Sequence, residues 1–87
     1  MTAKEEMQFL ATAKNTLSAE QYKSMHLYIL TMQDNSQELY SYRTRVGIKY
    51  PRATIWRLEK EKLSRTTSKQ LNVFAAEQGS VIWGNVA

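Results

Sequence analysis

The sequence predicts an all-α fold, a compact bundle of about five helices, and three observations predict it. Residues that cap helix N-termini recur along the chain just ahead of apolar stretches. The apolar residues that follow them are spaced three and four apart, as one buried face of a helix requires. The single proline, Pro51, stands four residues after Gly47, so that a helix stop is followed at once by a helix start. With 87 residues, 43% of them hydrophobic and 23% charged, the chain is expected to form one domain around a single small core.

The five expected helices cover residues 2–15, 18–33, 35–46, 51–63 and 67–78. In the first, Met7, Leu10, Ala11 and Lys14 lie at helical spacing, and Glu5 and Glu6 complement the dipole of the first turn. The second opens with Ser18 and Gln21 as a capping box and with Leu17 and Tyr22 at the positions of a hydrophobic staple. Behind them Tyr22, Met25, Ile29 and Met32 form a stripe, which makes this the expected core helix. Asp34 or Asn35 caps the third helix, Gln37 or Glu38 reaches back to it, and Leu39, Tyr42 and Val46 face inward. The fourth starts at Pro51 and buries Ile55 and Leu58. The fifth places Leu71, Phe74, Ala75 and Gln78 at helical spacing, closed by Gly79. An alternative for residues 70–86 is a β-hairpin turning at 77–80, with Val81, Ile82 and Trp83 as β-prone residues.

Charge is distributed unevenly along this plan. Residues 1–40 carry a net −2, residues 41–69 a net +7 and residues 70–87 a net −1. A basic block of that size attracts polyanions by releasing their condensed counterions. Double-stranded DNA is therefore the expected partner.

Gly47 and Pro51 together read as the joint of a helix-turn-helix, with helix 51–63 in the major groove. On a helical wheel the face opposite Ile55 and Leu58 carries Ala53, Arg57 and Lys60, flanked by Trp56 and Glu61. Arg57 suits bidentate contact with guanine, Ala53 permits close approach, and Lys60 suits backbone phosphate. The expected DNA-binding set is Arg43, Arg45, Lys49, Tyr50, Arg52, Ala53, Trp56, Arg57 and Lys60, with Arg43 and Arg45 on phosphates and Tyr50 donating to phosphate or stacking.

The run R-A-T-I-W-R-L-E-K (52–60) resembles the recognition helix of the lambda repressor and Cro superfamily, in which a T-I-x-R-L-E pattern is common. L-N-V-F-A-A-E-Q-G-S-V-I-W (71–83) is similar to the helix that follows in that family and its exit. The resemblance implies a small transcriptional regulator, a repressor of phage or plasmid type. If residues 70–86 form a hairpin, the family implied is instead the winged helix-turn-helix. Such proteins act in pairs, so a homodimer is expected through Phe9 and Leu10 or through Val81, Ile82 and Trp83.

Other classes find less in the sequence. Without cysteine there are no disulfides, no Cys-ligated zinc and no thiol catalysis. The single histidine, His26, has no second histidine to share a metal, so it is expected as a packed or half-exposed residue without a cofactor role. No carboxylate pair calls for acid–base catalysis and no phosphate-cradling loop is present, so the protein is expected not to be an enzyme. The start M-T-A-K-E-E-M is acidic where a signal peptide is basic, and the densest apolar stretch, from Met25 to Met32, is too short to span a bilayer. These features predict a cytoplasmic protein, held at the nucleoid by DNA. The alternative function is a small protein-interaction module, an inhibitor or adaptor, using its tyrosine- and methionine-rich helices.

Overall fold

The computed structural model describes residues 1–61 and 63–86. Helix α1 (Ala3–Lys14) precedes five strands, β1 (Ser18–Gln21), β2 (Leu27–Thr31), β3 (Gln37–Ser41), β4 (Thr44–Lys49) and β5 (Trp56–Glu59). Helix α2 (Arg65–Gln78) and strand β6 (Val81–Gly84) follow. The strands form one six-stranded sheet in chain order, antiparallel from β1 to β5, with β6 added parallel to β5. The parallel step needs a crossover, and α2 supplies it.

The two helices lie on opposite faces of the sheet. Leu10 of α1 packs with Tyr28, Leu30 and Tyr40, supported by Met7, Ala19 and Met32. On the other face Leu71 and Phe74 of α2 pack with Leu27, Leu39, Val46, Trp56 and Leu58. Phe74 meets the rings of Tyr22 and Trp56 edge-on, at centroid distances of 5.0 and 5.3 Å. Each large side chain buried here contributes about 1.5–3 kcal/mol.

This architecture overturns the all-α bundle and the helix-turn-helix. Helices occupy 3–14 and 65–78, where 2–15 and 67–78 are expected, but the expected helices 18–33, 35–46 and 51–63 are replaced by strands and turns. The C-terminal hairpin is absent too: residues 70–78 are helical, and Val81–Gly84 pairs in parallel with β5. Lys62, at the end of the expected fourth helix, lies outside the described residues.

Each correction has a local cause. Of the stripe expected in the second helix only Ile29 falls on β2, with Tyr22 and Met25 before it and Met32 after it; the fully buried residues of that strand are Leu27, Tyr28 and Leu30, since helices cover both faces. A strand buried on both sides reads as a continuous apolar run, and periodicity cannot separate that from a helix. Ser18 and Gln21 begin and end β1 rather than capping anything; the capping box is at Thr2 and Glu5, which opens α1. Residues 32–36 make a hairpin turn instead of a third helix start. Asn35 is left-handed at φ 71, its N–H donates to the Met32 carbonyl, and Asp34 accepts from both the amide and the hydroxyl of Ser36.

Gly47 and Pro51 have different work from that expected. Gly47 lies within β4 beside a bulge, and a Cβ there would stand 2.9 Å from Leu58 Cδ2 and 3.0 Å from Leu39 Cβ. Close packing of three strands, not a helix cap, is what requires glycine. Pro51 is the second residue of a four-residue turn closed by Ala53 N–H donating to the Tyr50 carbonyl at 3.0 Å, and Arg52 follows at φ 68. Those are the features of a type II turn, with proline at i+1 and a positive φ at i+2. After it, Trp56 and Leu58 point to α2 while Arg57 and Glu59 point away. The sequence from 56 to 59 alternates with a period of two, and Ile55, expected in the core, is 42% exposed while Trp56 is 4% exposed.

Candidate nucleic-acid interface

Because the strand order follows the chain order, position along the sequence becomes position across the sheet. The acidic block of residues 1–40 therefore builds α1 and the first two strands and most of the third. The basic block of residues 41–69 builds β4, β5, their connections and the first turns of α2. The charge asymmetry of the sequence is thus an asymmetry of the molecule from one side to the other.

The expected site residues divide among several places on that basic side. Arg43 sits in the tight turn between β3 and β4, its guanidinium 4.8 Å from the Phe9 ring and 3.8 Å from the Glu6 carboxylate of α1. Arg45 donates to the Val86 carbonyl at 2.6 Å and approaches Glu38 at 3.5 Å. Both arginines have partners within the chain, Arg43 while remaining 53% exposed, although the sequence suggests phosphate contacts for them. Trp56 is a core residue rather than a groove-flanking one. Lys49 lies over its ring at 5.9 Å. Tyr50, Arg52 and Ala53 share the connection between β4 and β5, with Tyr50 and Arg52 exposed. Lys60 follows β5, and its backbone N–H donates to Gly84 at 3.1 Å. No recognition helix joins them, since residues 51–63 contain no helical turn among those described.

Arg57 has the most suggestive surroundings. It pairs in register with Ile48 of β4 and Ile82 of β6, on the sheet face opposite α2. Helix α1 packs on the β1 to β3 part of that face, and residues 85–86 lie near Arg45 and Glu59, where the Val86 N–H donates to Glu59 at 3.3 Å. Between them the row Ile48, Arg57 and Ile82 remains half-buried to exposed. Arg57 Nη1 lies 3.2 Å from where a Cβ on Gly84 would stand, so this glycine lets the guanidinium lie over β6. Lys49, Arg52, Arg57, Lys60, Arg65 and Lys69 make no ion pair with another described residue.

Ile48, Ile82 and Gly84, the neighbours of Arg57 on the sheet, are not among the residues expected around it from the sequence. The signal available for them was the two-residue alternation of residues 56–59, which puts Arg57 opposite Trp56 and Leu58 on a strand.

The structure holds two other polar groupings. Buried Glu6 accepts a 2.7 Å hydrogen bond from Tyr28 and lies 3.4 Å from His26 Nδ1, while His26 stacks on Tyr42 at 4.7 Å. Burial first, and then the bond to Glu6, pushes the Tyr28 hydroxyl well above its ordinary range. This cluster ties α1 to the β1–β2 and β3–β4 turns. A cleft of about 350 Å³ lies beside β4 and β5, lined by Thr44, Arg45, Val46, Glu59, Glu61, Leu63 and Asn85. Two of its charged side chains, Arg45 and Glu59, already make hydrogen bonds within the chain. Among the described residues there is no cluster of three or more His, Asp or Glu side chains able to hold a metal ion, and no helix is long and apolar enough to cross a membrane.

A family model described as a family of unknown function (DUF8033) matches residues 6–83, and the chain belongs to that family. The match runs from α1 to β6, across the whole sheet, and with the six-stranded fold it replaces the lambda repressor and Cro resemblance. No curated protein and no solved structure matches the chain.

Proposed function

We propose that this member of the DUF8033 family is a non-enzymatic nucleic-acid-binding domain that holds double-stranded DNA by its phosphates, using the β4–β5 side of the sheet. The observation that carries the reading is the segregation of charge across the sheet, with Lys49, Arg52, Arg57, Lys60, Arg65 and Lys69 uncommitted to ion pairs with other described residues. Arg57 is the central contact, and Arg52 in its exposed turn reaches the same side of the molecule. A cytoplasmic location at the nucleoid belongs to this proposal. Base reading by a helix 51–63 does not, since that segment is a turn and a strand.

Phosphate contacts release counterions, so the affinity for duplex falls with salt in proportion to their number. Fluorescence anisotropy with a labelled duplex at several salt concentrations tests the proposal. Arg57→Ala and Arg52→Ala should each weaken binding to all duplexes alike and lower the salt slope by about one. Absence of duplex binding at low salt, or binding unchanged in the double variant, overturns it.

A second reading, a protein-interaction module, is favoured by one feature: Ile82 and Trp83 are 46% and 40% exposed on opposite faces of an outer strand.

A further inference from the structure

The geometry points to a homodimer in which β6 pairs antiparallel with β6 of a second copy, joining two six-stranded sheets into one of twelve strands. The inference stands independently of nucleic-acid binding. Strand β6 hydrogen-bonds to β5 along one side only, and no described strand pairs with its other side. Such an edge offers unsatisfied backbone N–H and C=O groups to another strand. Proteins that keep an edge solitary usually place a charge, a proline or a bulge on it. The opposite edge, β1, carries the exposed Glu20. Strand β6 reads V-I-W-G and has none of these.

The residues of β6 also choose the partner. A two-fold axis perpendicular to the sheet keeps each face continuous, so residues facing each other across it must lie on the same face. Three registers then centre on apolar residues, and the one centred on Val81 opposes Ile82 to Ser80 and Trp83 to Gly79. Centred on Ile82, the pairing sets Ile82 against Ile82, Val81 against Trp83 and Ser80 against Gly84. Centred on Trp83, it sets Trp83 against itself but opposes Ile82 to Gly84 and Val81 to Asn85. The Ile82-centred register matches every apolar side chain with another, because V-I-W is symmetric in hydrophobicity about its middle residue. A second copy of this strand is thus its natural complement.

Charge permits the pairing. The strands themselves are neutral, and the Arg57 guanidinium of each copy lies over its own Gly84. In the Ile82-centred register the two Gly84 positions are separated by four residues along the strands and one strand spacing across them, about 14 Å. That exceeds the screening length of about 8 Å at physiological ionic strength. Repulsion between them is therefore weak, and the dimer presents both arginines on one face.

Sedimentation of the full chain without nucleic acid, from low micromolar to near-millimolar concentration, is the test. The native chain should reach a dimer, and Ile82→Lys should remain a monomer with an unchanged far-ultraviolet spectrum and melting curve. A native monomer throughout overturns the inference and leaves the edge to a strand of some other protein. A dimer that survives Ile82→Lys overturns its location. Because the chain has no cysteine, single-cysteine variants report the register and guard against a misfolded lysine variant. Ile82→Cys should cross-link readily on mild oxidation, as directly opposed Cβ atoms stand about 4.5–5.5 Å apart. Trp83→Cys and the exposed control Leu17→Cys should not. Cross-linking through position 83 and not 82, or equally through all three, overturns the proposed pairing. Loss of duplex binding in Arg57→Ala with dimerisation intact would bear on the nucleic-acid reading alone.

Discussion

The Tyr28 hydroxyl donates a 2.7 Å hydrogen bond to the Glu6 carboxylate, joining β2, where Tyr28 is fully buried, to the first turns of α1. Both residues are shielded from water, so if one is removed the other is left with His26 Nδ1, 3.1 Å from the hydroxyl and 3.4 Å from the carboxylate, in place of solvent. The bond ties the helix to the sheet at a point where Leu10 supplies the only fully apolar buried contact from α1.

Glu6→Ala should therefore destabilise the protein by about 1.5–3 kcal/mol, the range for a hydrogen bond to a charged group, with His26 Nδ1 at 3.1 Å left as the remaining partner of the Tyr28 hydroxyl. Removing Tyr28's hydroxyl together with the carboxylate, in Glu6→Ala with Tyr28→Phe, should recover part of the loss. Urea denaturation of the two single variants and the double variant gives the coupling directly; additive losses would mean that the bond contributes nothing.

Alkaline stability follows from the same burial. Tyr28 and Tyr40 both have hydroxyls pushed above the ordinary value of 10.0, first by burial and then by hydrogen bonds to Glu6 and Glu38. Above pH 10 the unfolded chain loses these protons while the folded chain keeps them. Stability from these groups is thus fully present below pH 10 and declines above it, by about 1.4 kcal/mol per pH unit for each tyrosine. Denaturant midpoints measured from pH 8 upward should be flat in this respect and then fall, and Tyr28→Phe should make the fall shallower.

Gly47→Ala should cost about 1–3 kcal/mol by overpacking. The added methyl would meet Leu58 and Leu39, both fully buried, whereas φ at this position is not left-handed. A thermal melt unchanged by the substitution would show that β3, β4 and β5 can move apart without loss.

Arg52 combines a strained backbone with the proposed contact. Its φ of 68 is unusual for a side chain of this kind. Arg52→Gly should raise stability by about 1 kcal/mol through relief of that strain, while weakening duplex binding. Denaturation and anisotropy on one preparation separate the effects. A variant that is less stable would show that the turn depends on the arginine side chain.

How much of this protein was legible from its residues can be followed at particular places. Near the N-terminus, Glu5 and Glu6 with the spacing of Met7 and Leu10 mark a helix by interactions among near neighbours, and the spacing of Leu71 and Phe74 marks another; the caps at Thr2 and Ser64 came from the structure. The charge difference between residues 1–40 and 41–69 was likewise readable from composition. Residues 18–61 were not settled that way, because L-Y-I-L and T-I-W-R-L-E have spacings that a short helix and a strand can each satisfy. Their conformation was decided by burial: β2 is covered by α1 on one face and α2 on the other, and its backbone groups are paired by β1 and β3. The candidate interface was divided in the same way. The sequence itself determined which residues are basic and how they cluster along the chain; only the tertiary structure, by laying the strands side by side in chain order, decided that Arg43 and Arg45 find partners in Glu6 and Val86 while Arg57 lies on the sheet face opposite α2 without an ion pair to another described residue. The physical reason is that charge belongs to each residue alone, whereas a strand's partners, and the side its residues face, come from hydrogen bonds to segments distant in the chain.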